Sequence, residues 1–223
     1  MKKAFTLAEV LITLGIIGVV AAITIPALIQ KYTDIRNSAM LKEDYSILQQ
    51  MMKSAVDEGA SVSASGYTLE NLKNYFNTYF LPYVKILSVC YDEEGCWSEG
   101  YKSLSGTIFS YTGCGVETIS FVLYNGSYVC MDDFADGRFG VETSSATVGF
   151  LVDVNGAGKP NTFGKDIFAL TLKDEELLPG GYDMTDDEVD KNCSVSKCSG
   201  KWCGIYCLVK AQKQGFKLPV VAD

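Results

Sequence analysis

Three groups of residues carry chemistry in this 223-residue chain: one acid, eight cysteines, and one loop rich in aspartate and asparagine. The acid is Glu9, which precedes an uncharged run from Val10 to Ile29. As a helix this run would span about 30 Å, the thickness of a bilayer core. A carboxylate in such a segment costs roughly 2.5–3.5 kcal/mol to insert. We therefore expect Glu9 to have a specific role that requires a partner of opposite charge.

Two simpler interpretations explain less of this N-terminal segment. A cleavable secretory signal usually has an apolar core of about 7–15 residues, and the run here is longer. A plain single-pass anchor explains the length, and it explains Lys2 and Lys3, since flanking lysines favour a cytoplasmic N-terminus. It does not explain Glu9.

All eight cysteines follow the apolar segment, and an even number there predicts disulfides formed in an oxidising compartment. They are Cys90, Cys96, Cys114, Cys130, Cys193, Cys198, Cys203 and Cys207. The alternative is a four-thiolate zinc site in the last four, but their C-x4-C-x4-C-x3-C spacing lacks the two-residue gaps typical of zinc knuckles. The sequence leaves the pairing open, except that a hairpin would bring Cys114 near Cys130, and we expect Cys90 to bond Cys96.

The loop that follows Val152 has the oxygen donors that calcium prefers in proteins. Its candidate ligands are Asp153, Asn155, Asn161 and Asp166, on a backbone rich in glycine. The alternative is a tight connection in which these side chains bond their own backbone. Calcium is the only cofactor that the sequence suggests.

The composition argues against several classes of function. The chain has no histidine, which excludes Ser/His and Cys/His nucleophilic catalysis. It contains no phosphate-binding loop or dinucleotide fingerprint, and we do not expect an enzyme. The net charge of −8 disfavours nucleic-acid binding. Six lysines after residue 190 leave three interpretations open: contact with DNA or an anionic surface, attraction between neighbouring subunits, or a soluble surface.

The elements that position these residues follow from periodicity. The helix is predicted to continue from the apolar run to about Asp57, with Gly59 as its cap. Its amphipathic part repeats apolar residues at steps of four and three. These residues are Leu41, Tyr45, Leu48, Met52 and Ala55.

A second set of elements follows the long helix. Thr68 is expected to cap a short helix, and Asn125-Gly126 predicts a tight hairpin. The expected strands are 107–112, 118–124, 127–131, 147–153 and 167–172. This order predicts an α+β fold in which a long N-terminal helix packs on an antiparallel β-sheet head with disulfides.

The first residues, Lys2-Lys-Ala-Phe-Thr-Leu-Ala-Glu9-Val-Leu-Ile12, resemble the N-terminal signal of type IV pilins and of the related pseudopilins of type II secretion systems. The resemblance implies that a prepilin peptidase cuts between Ala4 and Phe5, that the new Phe5 amine is methylated, and that Glu9 is the assembly residue. The family usually has glycine before the cut, where this chain has Ala4. We expect a leader at 1–4, an N-terminal helix at 5–58 with 5–29 in the membrane, and a globular head at 59–223.

The resemblance further implies a structural subunit of a type IV pilus or type II secretion pseudopilus that polymerises through its N-terminal helix. Its partners would be other pilin subunits, the prepilin peptidase, an inner-membrane assembly platform and the lipid bilayer. The helix would cross the bacterial inner membrane once, with its N-terminus cytoplasmic and the head periplasmic or extracellular, before entering a filament or the cell surface. The alternative is a permanently membrane-anchored binding or adhesion ectodomain that does not polymerise.

Overall fold

A computed structural model of the chain describes residues 6–60, 63–64, 68–109, 114–115, 117–133, 146–173 and 175–221. These residues form two compact units, one up to Arg36 and the other from Asn37 onward. The expected cleavage site, between Ala4 and Phe5, lies outside the described residues. The same is true of residues 110–112 in one expected strand.

A single helix, α1, spans Leu7–Asp57 and includes Pro26. It ends where Gly59 takes a positive φ of 85°, and the amide of Ala60 donates to the carbonyl of Ala55 at 3.0 Å. The end at Asp57 and the glycine cap are as the sequence predicted.

The later part of α1 has one buried face. Its buried residues include all five of the predicted amphipathic stripe, from Leu41 to Ala55. Met51 and Asp44 are also buried on this part of the helix. The periodicity therefore identified the face of α1 that packs in the head.

Two short segments connect α1 to the sheet. The two-residue strand β1, Ser63–Ala64, pairs with Thr147 and Ala146. Helix α2, Leu69–Tyr75, is capped by Thr68, whose hydroxyl accepts from the amide of Asn71 at 3.3 Å. This cap was predicted, because threonine before an apolar-periodic segment favours a helix start.

The head contains an antiparallel sheet in which, apart from β1, each strand pairs with the next along the chain. Its strands are β2 (Ile86–Tyr91), β3 (Ile119–Leu123), β4 (Tyr128–Asp133), β5 (Ala146–Asp153), β6 (Ile167–Lys173) and β7 (Glu176–Pro179). The predicted Asn125-Gly126 turn joins β3 to β4, with the amide of Leu123 donating to the carbonyl of Ser127 at 2.9 Å. The α+β class is therefore confirmed.

The structure departs from the predicted elements in several places. Strands β2 and β7 were not predicted, and neither were helices α3 (Asp186–Asn192) and α4 (Cys207–Lys213). In the segment predicted as a strand at 107–112, Ile108 forms only an isolated bridge with Lys102. In the described part of this segment, residues 107–109, the amide of Phe109 donates to the carbonyl of Tyr101 rather than to a strand of the sheet.

Buried apolar side chains lie on both faces of the sheet. The main core unites α1, α2 and one face, and includes Leu48, Phe76, Phe121 and Phe150. The second cluster comprises Trp97, Tyr101, Phe109, Cys114, Cys130, Leu151, Phe163, Ile167, Ala169 and Ile205. Successive strand side chains point to opposite faces, so Phe150 belongs to the main core and Leu151 to the second cluster.

Candidate functional site

Glu9 closes a capping box at the start of α1. Its carboxylate Oε2 accepts hydrogen bonds from the backbone amide and the hydroxyl of Thr6, both at 2.8 Å. In return, the amide of Glu9 donates to the Thr6 hydroxyl at 3.2 Å. This reciprocal pair satisfies donors that a helix start otherwise leaves unbonded.

The capping box gives Glu9 a local role that the sequence analysis missed. The signal was visible, because Thr6-Leu-Ala-Glu9 has the spacing of a capping box immediately before an apolar run. An acid at this position also lies near the positive end of the helix dipole. A test of Glu9 must therefore separate its charge from its capping role.

The first part of α1 exposes a continuous apolar surface. Leu11, Ile17 and Ile23 are 61%, 62% and 72% exposed, and other large apolar side chains between Leu7 and Ile35 are similarly exposed. Among the described residues, α1 is the one helix long and apolar enough to cross a membrane. Large exposed apolar surfaces are normally covered by lipid or by another protein.

The eight cysteines form four disulfides, so no thiolate is left for zinc. The two expected pairs, Cys90–Cys96 and Cys114–Cys130, are present. The pairing left open is Cys193–Cys207 and Cys198–Cys203. Cys193–Cys207 joins the end of α3 to the start of α4, and Cys198–Cys203 lies within the loop between them.

Acidic residues of α3 contact lysines of α4. Thr185 and Glu188 form a second capping box, with Thr185 donating to the Glu188 carboxylate. Lys210 pairs with Asp190 at 2.8 Å, and Lys213 pairs with Asp186. The charge polarity of the tail is therefore used, at least in part, to hold α4 against α3.

The four predicted calcium ligands converge in the β5–β6 loop, here defined as residues 153–166. Asn155 links both acids, because its amide donates to Asp153 Oδ1 at 3.3 Å and its side-chain nitrogen donates to Asp166 Oδ2 at 3.1 Å. The amide of Asn161 donates to the same Asp166 oxygen at 2.8 Å. Asn155 and Asn161 thus both donate to the Asp166 carboxylate, in the manner expected of turn chemistry.

Both carboxylates of the loop are fully buried. Burial, together with the negative charge of Asp166, raises the pKa of Asp153 to about 9. Burial likewise raises the pKa of Asp166, although hydrogen bonds from Thr162, Asn161 and Asn155 oppose the shift. Within the described part of the chain, neither acid forms an ion pair with lysine or arginine.

Three side-chain oxygens of the loop are buried without a hydrogen-bond partner among the described residues. They are Asp153 Oδ2, Asn155 Oδ1 and Asn161 Oδ1. Each belongs to a residue that the sequence singled out as a calcium ligand. Turn chemistry alone leaves these three acceptors unexplained, because buried acceptors normally have partners.

The comparison with protein-family models identifies the class of the N-terminal segment. Residues 1–25 match the prokaryotic N-terminal methylation motif. The chain therefore carries a prepilin signal of the type IV pilin and pseudopilin kind, as the sequence predicted. This motif points to a structural protein rather than an enzyme. The comparisons with curated proteins and with solved structures found no match.

Proposed function

We propose that this protein is a structural subunit of a type IV pilus or type II secretion pseudopilus, cleaved between Ala4 and Phe5 and polymerised through α1. The observation that carries the proposal is the methylation motif at residues 1–25, which overlaps an apolar helix segment that is exposed among the described residues. The bilayer covers this helix before assembly, and the helices of neighbouring subunits cover it afterwards.

The surface of α1 suits both the bilayer and contact with the helices of neighbouring subunits. Its apolar side chains suit lipid, and Gly15 and Gly18 have open space where a Cβ would stand, so another helix can approach closely. The two lysines of the leader favour insertion with the N-terminus in the cytoplasm and the head outside it. Other subunits, the prepilin peptidase and an inner-membrane assembly platform are the partners of this proposal.

Glu9 supplies the specificity of assembly in this proposal. In a stack of parallel helices its carboxylate meets the Phe5 amine of a neighbouring subunit, and each charge neutralises the other. Removing one partner of a buried ion pair is strongly destabilising, because the remaining charge is uncompensated. In the isolated chain, the hydrogen bonds from Thr6 satisfy the same carboxylate before a neighbour is present.

The charge and the capping role of Glu9 can be separated by two substitutions. Glu9→Gln keeps a side chain that closes a capping box but has no charge, whereas Thr6→Ala keeps the charge and removes the capping hydroxyl. We expect Glu9→Gln to lower the subunit in sheared surface filaments at least tenfold relative to its whole-cell level. We expect Thr6→Ala to change that ratio much less.

The reverse result would contradict the proposed role of Glu9. If Glu9→Gln assembles like the wild type while Thr6→Ala does not, Glu9 serves only to start the helix. If all variants and the wild type stay in the membrane fraction, the chain is a permanently anchored ectodomain.

Processing is tested by the intact mass of the membrane-extracted protein. We expect a chain that begins with N-methylated Phe5. Ala4→Gly is the matched variant, and it should be cut at least as completely because glycine is the residue usual in the family. An uncut Met1, or a cut after Ala22 or Ala27, would exclude the pilin-type interpretation.

A further inference from the structure

The unpaired oxygens of the β5–β6 loop require a partner that the described residues do not provide. A buried acceptor without a hydrogen bond loses the interaction that water gave it in the unfolded chain, and this loss destabilises the folded state. Three such atoms belong to this one loop: Asp153 Oδ2, Asn155 Oδ1 and Asn161 Oδ1. Asp153 itself has 0% of its surface exposed.

A bound proton accounts for only part of this arrangement. Protonation of Asp153 would remove one charge and add one O–H donor. One donor cannot satisfy both Asn155 Oδ1 and Asn161 Oδ1, and Asp166 would remain an acid buried beside the others. A cation would satisfy all three acceptors and both carboxylates.

The donor set indicates which kind of cation fits. Two carboxylates and two amide oxygens contain no nitrogen or sulfur donor, which favours a hard cation over zinc or copper. The two carboxylates match a charge of +2. Calcium tolerates irregular loop ligands, whereas magnesium demands a near-ideal octahedron and keeps several waters.

We propose that the β5–β6 loop binds one calcium ion through side-chain oxygens of Asp153, Asn155, Asn161 and Asp166. The hydrogen bonds from Asn155 to both acids hold these groups together before the ion arrives. The site is independent of the proposed role of α1 in assembly.

The position of the loop gives the ion a structural role. Ser98 donates to the carbonyl of Gly156 at 2.9 Å, and the amide of Lys102 donates to the carbonyl of Asn161 at 2.9 Å. Gly164 lies against the Cys193–Cys207 disulfide, since a Cβ there would stand 2.7 Å from Cys207 Sγ. An ion in the loop would therefore stabilise the contacts of the loop with Ser98 and Lys102 and with the Cys193–Cys207 disulfide.

Thermal unfolding of the full chain in detergent tests the site directly. At a calcium concentration about a hundredfold above the dissociation constant, we expect the melting temperature to rise by roughly 5–10 °C relative to EGTA. Magnesium at the same concentration should give a much smaller rise. Calorimetric titration should give one calcium ion per chain.

Two variants remove ligands and one serves as a control. Asp153→Asn removes a ligand charge while keeping the side-chain shape. Asn161→Gly removes the side chain that carries the unpaired oxygen. The backbone bonds to Asp166 and Lys102 remain, and glycine tolerates the φ of 52°. Asp187→Asn neutralises an exposed acid on α3.

The ligand variants should lose the calcium response, and the control should keep it. Asn161→Gly should bind calcium at least tenfold more weakly while melting in EGTA within about 2 °C of the wild type. If Asp153→Asn does not fold, Asn161→Gly alone decides the question. Equal melting of the wild type in calcium and EGTA, or an undiminished response in both ligand variants, would overturn the site.

Discussion

The main core and the second cluster cover opposite faces of one sheet, but they are built from different kinds of segment. The main core takes its side chains from α1, α2, the strands and α4, where spacing along the chain sets which face is buried. Apart from its residues on the strands, the second cluster consists of side chains from loops. These include Trp97, Tyr101, Phe109, Phe163 and Ile205. Apolar periodicity therefore determines the packing on one face of the sheet. On the other face, packing depends on disulfides and aromatic contacts.

The aromatic contacts of the second cluster show how loops can still pack densely. Tyr101 and Phe109 are stacked with ring centroids 4.9 Å apart, and Trp97 meets Tyr101 edge-on at 5.7 Å. The Cys114–Cys130 disulfide ties this cluster to β4. A loop-built cluster of this kind depends on covalent bridges, because its backbone has few sheet hydrogen bonds of its own.

The largest expected effect compares one phenylalanine from each region. Phe150→Ala leaves a cavity beside Phe80 in the main core and should lower the free energy of unfolding by roughly 3–5 kcal/mol. Phe109→Ala should cost less, since loop backbone can collapse into the space. Chemical denaturation of the purified chain, in EGTA, measures both. Equal losses would show that the second cluster is as rigid as the main core.

Removal of the Cys114–Cys130 bridge should weaken the second cluster most. This bridge spans 16 residues, and the chain-entropy model gives a loss of about 3 kcal/mol for the double alanine variant. The control is Cys198–Cys203, which spans 5 residues and should cost about 2 kcal/mol by the same relation. A larger loss from the shorter bridge would mean that strain or packing, not chain entropy, decides the effect.

The main core contains an acid whose effect on stability should depend on pH. Burial raises the pKa of Asp44 to about 6, against the hydrogen bond from Asn125 at 2.7 Å. Between pH 3.8 and about 6, Asp44 therefore keeps its proton in the folded chain and releases it in the unfolded chain, where its pKa is 3.8. Stability from this group is therefore present below pH 3.8 and lost as pH rises through 6.

Replacement of Asp44 should remove the part of the pH dependence that this acid causes. Asp44→Asn should stabilise the head at pH 7.5 by about 2–3 kcal/mol relative to the wild type, and the gain should vanish near pH 4. Denaturation curves at the two pH values, both in EGTA, give the comparison. A gain of the same size at pH 4 would assign the effect to packing rather than to charge.

The smallest expected effect concerns the surface of α4. Lys210→Met removes the pair with Asp190, which is 62% exposed on its side chain, and should change stability by less than about 1 kcal/mol. Lys217→Met is the control on an exposed lysine. The difference should shrink in high salt, because screening weakens exposed pairs. A loss of several kcal/mol would place this contact among the determinants of the fold.

The sequence predicted the parts of the head in which local pattern and burial agree. The stripe from Leu41 to Ala55, the Thr68 cap and the Asn125-Gly126 turn are examples. Strand β2 was not predicted because it has no clean alternation of apolar and polar residues, and Leu87 near its start is 67% exposed. Strand β7 has only four residues. Helix α3 was not predicted because its sequence is an acidic run, although Thr185 and Glu188 have capping-box spacing.

The candidate sites also have features that the sequence indicated and features that only the structure shows. Residue types and spacing drew attention to Glu9 and to the loop from Asp153 to Asp166, whose roles stay predictions. They did not show that Glu9 bonds Thr6, or that three loop oxygens lack partners, because both facts depend on where each atom lies. The second cluster was invisible for a related reason: Trp97, Phe163 and Ile205 are far apart in the chain and meet only in the folded head.

The order of the cysteine pairs has a consequence for maturation. Cys90–Cys96 and Cys114–Cys130 join neighbours in the chain, whereas Cys193–Cys207 encloses Cys198–Cys203. If thiols oxidise as they emerge, Cys193 meets Cys198 first, and that wrong pair must be exchanged by thiolate attack. Uncatalysed exchange takes minutes to hours. A catalyst of thiol–disulfide exchange would therefore raise the yield of correctly bridged head under such conditions.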